Sequence, residues 1–222
     1  MRGFGLKELI VVIAVLAVLI VVALFGLRSH GERAVRLQCQ RNLQQVGSAM
    51  IAYTLAHDGL LPDSSPGNPL YGGGAWPWDI NTNLFNELVR QGASTNSLYC
   101  PANPAMNDDV HRNFWRYAHN SMQVISYGML FNGQSLVPSQ YWRVNLLGSG
   151  GAPEQTELGF DATISMDGDF MHIRGFNTDR SNHVHGSDPV GGNILFEDGH
   201  VNWHDFKQMR DRFHTAGAVW YF

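Results

Sequence analysis

The sequence predicts an α+β fold, in which a long N-terminal α-helix packs on a small antiparallel β-sheet. Three observations carry that prediction. Residues 9–27 contain no charged or strongly polar side chain. Residues 32–57 continue with apolar side chains at helical spacing. Beyond residue 58, short β-branched and aromatic runs are punctuated by Gly, Pro and Asn, and one of them brackets an Asp-Gly turn.

The 9–27 run is Val, Ile, Leu and Ala with one Phe, one Gly and no Pro. As a helix it would be about 28 Å long, at 1.5 Å per residue. That is close to the roughly 30 Å of a bilayer's hydrocarbon core. The run also lacks the polar stripe that a helix on a soluble domain keeps. Residues 4–28 are therefore expected to be a transmembrane helix. Nothing after Leu27 resembles the small-residue exit of a cleaved secretory signal. Glu8 stands one residue before the apolar run. A carboxylate at the edge of a membrane helix is costly and marks a functional candidate; its other reading is an acid matched to the positive end of the helix dipole.

From 29 to 58 the same helix is expected to turn amphipathic. Val35, Cys39, Leu43, Val46, Met50 and Tyr53 recur every three or four residues, while Arg33, Arg36, Gln40, Arg41, Gln44 and Gln45 occupy the opposite face. Asp58-Gly59 is a turn signal that ends it. Residues 59–222 then form a globular, loop-rich domain. Its expected elements are a helix over 83–91, strands over 97–101, 126–131 and 157–162, and a hairpin over 193–204. The Asp198-Gly199 pair predicts a type I′ turn in that hairpin. Trp76 and Trp78 read either as a sugar-stacking platform or as a plug over the core. The tail from 206 to 222 reads as a short basic helix followed by Val-Trp-Tyr-Phe, covering a sheet edge or a neighbouring subunit.

Composition narrows the function. A net charge of −4 argues against a nucleic-acid partner. The 15% of charged residues and 24 glycines favour a loop-rich, β-containing exported domain over a helical bundle. Cys39 and Cys100 are compatible with one disulfide or with two separately buried thiols; no CxxC or Cys/His zinc spacing occurs.

The stretch Gly3-Phe4-Gly5-Leu6-Lys7-Glu8-Leu9-Ile10-Val11-Val12-Ile13-Ala14 resembles the start of type IV pilins and type II secretion pseudopilins. The resemblance implies that a prepilin peptidase cuts after Gly3 and that Phe4 becomes the N-methylated terminus. It also implies that Glu8 pairs with the terminal amine of a neighbouring subunit during filament assembly. Gly5 and Lys7 depart from the usual pattern, and Lys7 beside Glu8 would weaken the intersubunit pairing. A carboxylate half-buried among apolar helices needs such a cation.

A second, narrower resemblance runs through Cys39, Asn42, Leu43, Val46 and Gly47, then Asp58, Gly59 and Pro62, then Tyr99-Cys100-Pro101 and Ser126-Tyr127-Gly128-Met129. It is to pseudopilin-like proteins with an H-X9-DG C-terminal signature. The closing element would be His185 with Asp198-Gly199. Twelve residues separate His185 from Asp198 rather than nine, which implies a loop insertion.

Asp161, Asp167, Asp169, His172, His183, His185, Asp188, Asp198, His200 and His204 make the C-terminal third rich in metal-ligand types. No H-E-x-x-H, nucleophile elbow, Walker loop or zinc-finger spacing accompanies them. No cofactor is expected beyond a weak Ca²⁺ site at Asp167, Asp169 and Asp198, supported by calcium binding in related major pseudopilins; the Asp167-Gly168-Asp169 run lacks the later bidentate Glu of a calcium loop.

The expectation is therefore a pilin-like structural subunit rather than an enzyme. Its 1–3 leader would be removed, and it would polymerise through the N-terminal helix. Its partners would be further copies of itself, the peptidase, an inner-membrane assembly platform and membrane lipid, with no nucleic acid. The resemblance implies a single-pass inner-membrane protein with an exported C-terminal domain, although the arginines at 28, 33, 36 and 41 would by the positive-inside rule place that side in the cytoplasm. The competing classes are an anchored metal hydrolase built on the His/Asp-rich third and an anchored glycan-binding module built on the 71–78 loop.

Overall fold

The computed structural model describes residues 5–108, 112–113, 122–146, 151–173 and 180–222, without the side chains of 7–8, 23–30, 105, 107–108 and 112–113. The expected leader and new N-terminus, Gly3 and Phe4, lie outside the described residues, as does the side chain of Glu8. Residues Leu6–Leu55 are helical (α1). The chain divides into two compact units, Met1–Leu37 and Gln38–Phe222, with the boundary inside α1.

In the first unit, residues 9–22 are exposed at every position. The expected transmembrane half is corrected here: among the described residues, no helix is long and apolar enough to cross a membrane. The apolar stretch whose side chains are described, 9–22, spans about 21 Å at 1.5 Å per residue, short of the ~20 residues that a crossing needs. The expected single-pass placement in an inner membrane falls with it.

In the second unit the strands run in chain order as β1 Asp79–Asn81, β2 Asn107–Asp108, β3 Arg112–Asn113, β4 Met122–Val124, β5 Tyr127–Met129, β6 Glu157–Asp161, β7 Ile164–Met166, β8 Val184–His185, β9 Asp188–Pro189, β10 Gly191–Phe196, β11 Val201–Asp205, β12 Asp211–Thr215 and β13 Ala218–Tyr221. A second helix, α2, covers Thr82–Arg90. The expected single small sheet is also corrected. The strands form a four-stranded sheet in the order β11-β10-β6-β5, a three-stranded sheet β12-β13-β7, and the two-stranded pairs β1-β4, β2-β3 and β8-β9. All of these pairings are antiparallel.

The stretch of α1 that belongs to this unit buries Cys39, Leu43, Val46, Ala49, Met50 and Tyr53, one stripe at helical spacing. It lies close on the four-stranded sheet because residue 47 is glycine. A Cβ there would stand 2.6 Å from Leu195 Cδ1 on β10. Side chains expected to face solvent take part as well: Gln40 Nε2 donates to the Val201 carbonyl at 2.8 Å, and Gln45 Nε2 to the Gly92 carbonyl at 2.9 Å.

Three local expectations change. The 97–101 strand is a 3-10 turn, Thr95–Leu98, closed by a capping box between Ser94 and Ser97. The Asp198-Gly199 turn has positive φ only at Gly199, and Phe196 N–H donates to the His200 carbonyl, so three residues, 197–199, lie inside that closing bond rather than two. Two-residue hairpin turns with both φ positive are instead Asp167-Gly168, at 53° and 79°, and Ala216-Gly217, at 48° and 82°. The tail keeps only one 3-10 turn of the expected basic helix, Phe206–Gln208 with Lys207, and continues as the β12-β13 hairpin, with β13 paired to β7. Trp220 and Phe222 are fully buried, and Trp220 packs 4.8 Å from Trp78. Trp78 is thus a core residue, because the indoles of the 76–78 loop close over the C-terminal strand.

Candidate metal centre

Each of four separate elements of the second unit delivers one side chain to a single buried point. Cys39 comes from the buried stripe of α1, where a helical residue four before Leu43 must face the same core. Cys100 follows the capped 3-10 turn. The chain just before it is pinned by Tyr99 Oη donating to the Val124 carbonyl at 3.0 Å and by Ser126 N–H donating to the Leu98 carbonyl at 3.1 Å. Asp161 is the last residue of β6, opposite Tyr127 of β5. His183 precedes β8 and is held by Asn182 N–H to the Ala162 carbonyl at 2.9 Å and by Val190 N–H to its own carbonyl at 3.0 Å.

The four groups converge closely. Cys39 Sγ lies 2.8 Å from Cys100 Sγ and 3.1 and 3.4 Å from the two Asp161 carboxylate oxygens. His183 Nε2 is 3.3 Å from Cys100 Sγ and 3.2 Å from Asp161 Oδ2. All four potential ligand atoms lie within 4.8 Å of one another, and no member is more than 4% exposed. Around them, Asn193 donates to Asp161 Oδ2 from its backbone N and from Nδ2, both at 2.8 Å. Asn182 Nδ2 donates to Oδ1 at 3.1 Å. Tyr127 Oη stands 3.6 Å from Cys39 Sγ, and the edge of the His183 ring meets Trp203 at 5.0 Å.

The electrostatics follow from burial and from the ion pair. Burial pushes the Asp161 carboxyl up, but the His183 imidazolium and the Asn193 N–H outweigh it and hold the carboxyl at about 2. Burial works against protonation of His183, but the Asp161 charge and hydrogen bond raise it to about 10. Desolvation raises Cys100 to about 11 and Cys39 well above its ordinary value, so both sulfurs are thiols at neutral pH in this environment.

The two cysteines expected either to pair or to be buried apart are buried side by side, as free thiols. The weak calcium reading does not gain a site. Asp167 occupies the turn after β7, Asp169 accepts from the N–H groups of Met171 and His172, and Asp198 is bound to His200 on the β10-β11 turn. Among the described residues these three form no convergent ligand group. His185, the expected signature histidine, is exposed on the β8-β9 hairpin. The histidine that reaches the interior is His183, two residues earlier. Asp161 and His183 stood among ten candidate ligand residues, but nothing local joined them to the cysteines. The cysteines stand 61 to 144 positions from Asp161 and His183 in sequence, beyond the reach of any spacing motif.

Compared with family models, curated proteins and solved structures, the chain finds no match. The fold and the site define an α+β protein whose N-terminal helix supplies one corner of a buried Cys₂-Asp-His centre.

Proposed function

We propose that this chain is the structural subunit of a filament of the pilin and pseudopilin type, assembled through the exposed apolar part of α1. The observation that carries the reading is the 9–22 stretch. Its large apolar side chains are 43–63% exposed, from Val12 to Val22, with no polar residue interrupting them. A contiguous apolar surface of this kind on a folded chain marks an association site. Removing the remaining exposure of a dozen Leu, Ile and Val side chains, at about 1 kcal/mol each, is worth on the order of 10 kcal/mol. That is enough to offset much of the 4–15 kcal/mol cost of association. Copies packed side by side along this stretch would supply that burial.

Register along so uniform a surface needs a polar device. The Phe4 amine and Glu8 are the proposed pair, created when a prepilin-type peptidase cuts after Gly3. Neither competing class gains support from the site geometry. Trp78 is 3% exposed and packs in the core, and Trp76 is partly buried against it, so the two indoles do not stand free together as a sugar platform. No member of the Cys/Asp/His centre is more than 4% exposed.

The test is the intact mass of the protein isolated from its native cells, together with the assembly of variants. Loss of three residues with gain of one methyl group, and loss of polymers in Glu8→Ala, are expected. A full-length native chain, or a Glu8→Ala variant that polymerises as well as the parent, would overturn the reading.

A further inference from the structure

We propose that Cys39, Cys100, Asp161 and His183 bind a structural zinc ion that fastens α1 to the C-terminal strands, independently of any filament assembly. Four groups of the types that ligate zinc, each from a separate element, meet with all their potential ligand atoms inside 4.8 Å. Two thiols and an imidazole are the donors of a borderline-soft ion and rule against calcium or magnesium, which take oxygen ligands. Two sulfurs, one nitrogen and one carboxylate oxygen complete the tetrahedron of a closed structural site, leaving no position for water or substrate.

The surroundings match that role. In metal centres, carboxylate ligands are themselves hydrogen-bonded, which orients them and tunes their charge. Asp161 accepts three such bonds, from the backbone and side chain of Asn193 and from Asn182. Tyr127 Oη is placed toward Cys39 Sγ, where it can donate to a thiolate. The contacts of 3.1 to 3.4 Å between unlike ligand groups already approximate the edges of a tetrahedral site. The sulfurs need to part from 2.8 Å to about 3.7 Å, the separation of two thiolates each 2.3 Å from zinc at a tetrahedral angle. A surface hollow of about 340 Å³ is lined by Asn42, Asn96, Tyr99 and Cys100, one of the four ligand residues.

A disulfide would use only the two cysteines and would leave the buried His183–Asp161 ion pair as a separate feature beside it. Metal binding uses all four. On loading, the two thiols and the imidazolium each release a proton to solvent, the carboxylate is already ionised, and the zinc remains divalent throughout.

The experiment uses the full chain, purified in mild detergent with a thiol reductant and without chelator. One zinc per chain by elemental analysis is expected, with both cysteines recovered as free thiols once the chain is denatured. Replacement by Co²⁺ should yield an intense thiolate-to-cobalt charge-transfer band and the visible bands of a tetrahedral ion, a reading that needs no variant to fold. Cys100→Ser and His183→Ala should each lower zinc occupancy at least tenfold at equal metal concentration. Three results would each overturn the proposal: a reduced, folded chain that takes up no zinc; a native chain two hydrogen masses lighter and metal-free, which is the disulfide; and a cobalt spectrum without the thiolate band.

Discussion

Replacing Trp220 by alanine should be among the most damaging single changes in the globular unit. Trp220 is 0% exposed and lies in β13, between β12 and β7. Its rings approach Trp78 at 4.8 Å, Phe160 at 5.9 Å and Phe213 at 6.0 Å. A buried indole removes about 200 Å² from water, worth roughly 5 kcal/mol at 25 cal/mol per Å². Measured losses for such truncations run about 3–5 kcal/mol. The same stretch supplies its own control. Val219 is the neighbouring residue on the opposite face and only half-buried, so Val219→Ala should cost about 1 kcal/mol or less. The indole N–H of Trp220 is buried without a partner among the described residues, so Trp220→Phe sheds a polar penalty and should lose much less than the alanine variant. Pulse proteolysis of the full chain across a urea series reads these differences. With a slope of about 2–3 kcal/mol per M, the Trp220→Ala midpoint should fall by about 1–2 M. A midpoint shift for Trp220→Ala no larger than that for Val219→Ala would refute the assignment of the tail to the core.

Three further outcomes are expected. Gly128→Ala would place a Cβ 2.4–2.5 Å from the Phe160 ring, itself stacked on Phe222, so overpacking should cost about 1–3 kcal/mol in the same assay. Arg143→Met removes the cation beside both Glu157 and the buried Glu197, and should destabilise by about 3 kcal/mol at pH 7; the loss should shrink when Glu197 is also changed to Gln, as a double-mutant cycle would report. Burial pushes the Asp79 carboxyl up to about 6, against hydrogen bonds from the Trp76 and Ala75 backbone. A folded value above the unfolded one means that Asp79 contributes stability below pH 4 and loses it as pH rises through 6. Asp79→Asn should therefore raise stability at pH 7–8, by at most about 3 kcal/mol, and give no gain at pH 4; equal effects at both values would contradict this.

Much of this was readable from local pattern. The stripe from Cys39 to Tyr53 is buried as its spacing predicts, because a helix with one apolar face has one way to hide it. Helix α2, strand β6 and the β10-β11 pair fall where periodicity and turn residues put them, within a residue or two at their ends. The uninterrupted apolar run at 9–22 was equally plain, although it did not by itself license a membrane crossing.

What local pattern could not decide is where separate segments meet. The final Val-Trp-Tyr-Phe looks like an exposed apolar end until β7 accepts β13 as its neighbour and the tryptophans of the 76–78 loop close on it. His185 and His183 are two residues apart and identical in chemistry, yet one is exposed on a hairpin and the other is buried. Cys39, Cys100, Asp161 and His183 share no spacing rule at all. The sequence alone determined the helical and strand-forming character of its segments, since those depend on neighbours three or four positions away. The convergence of four ligands was decided only by the tertiary structure, because packing α1 against β10 and pairing β6 with both β5 and β10 brings together groups as much as 144 residues apart.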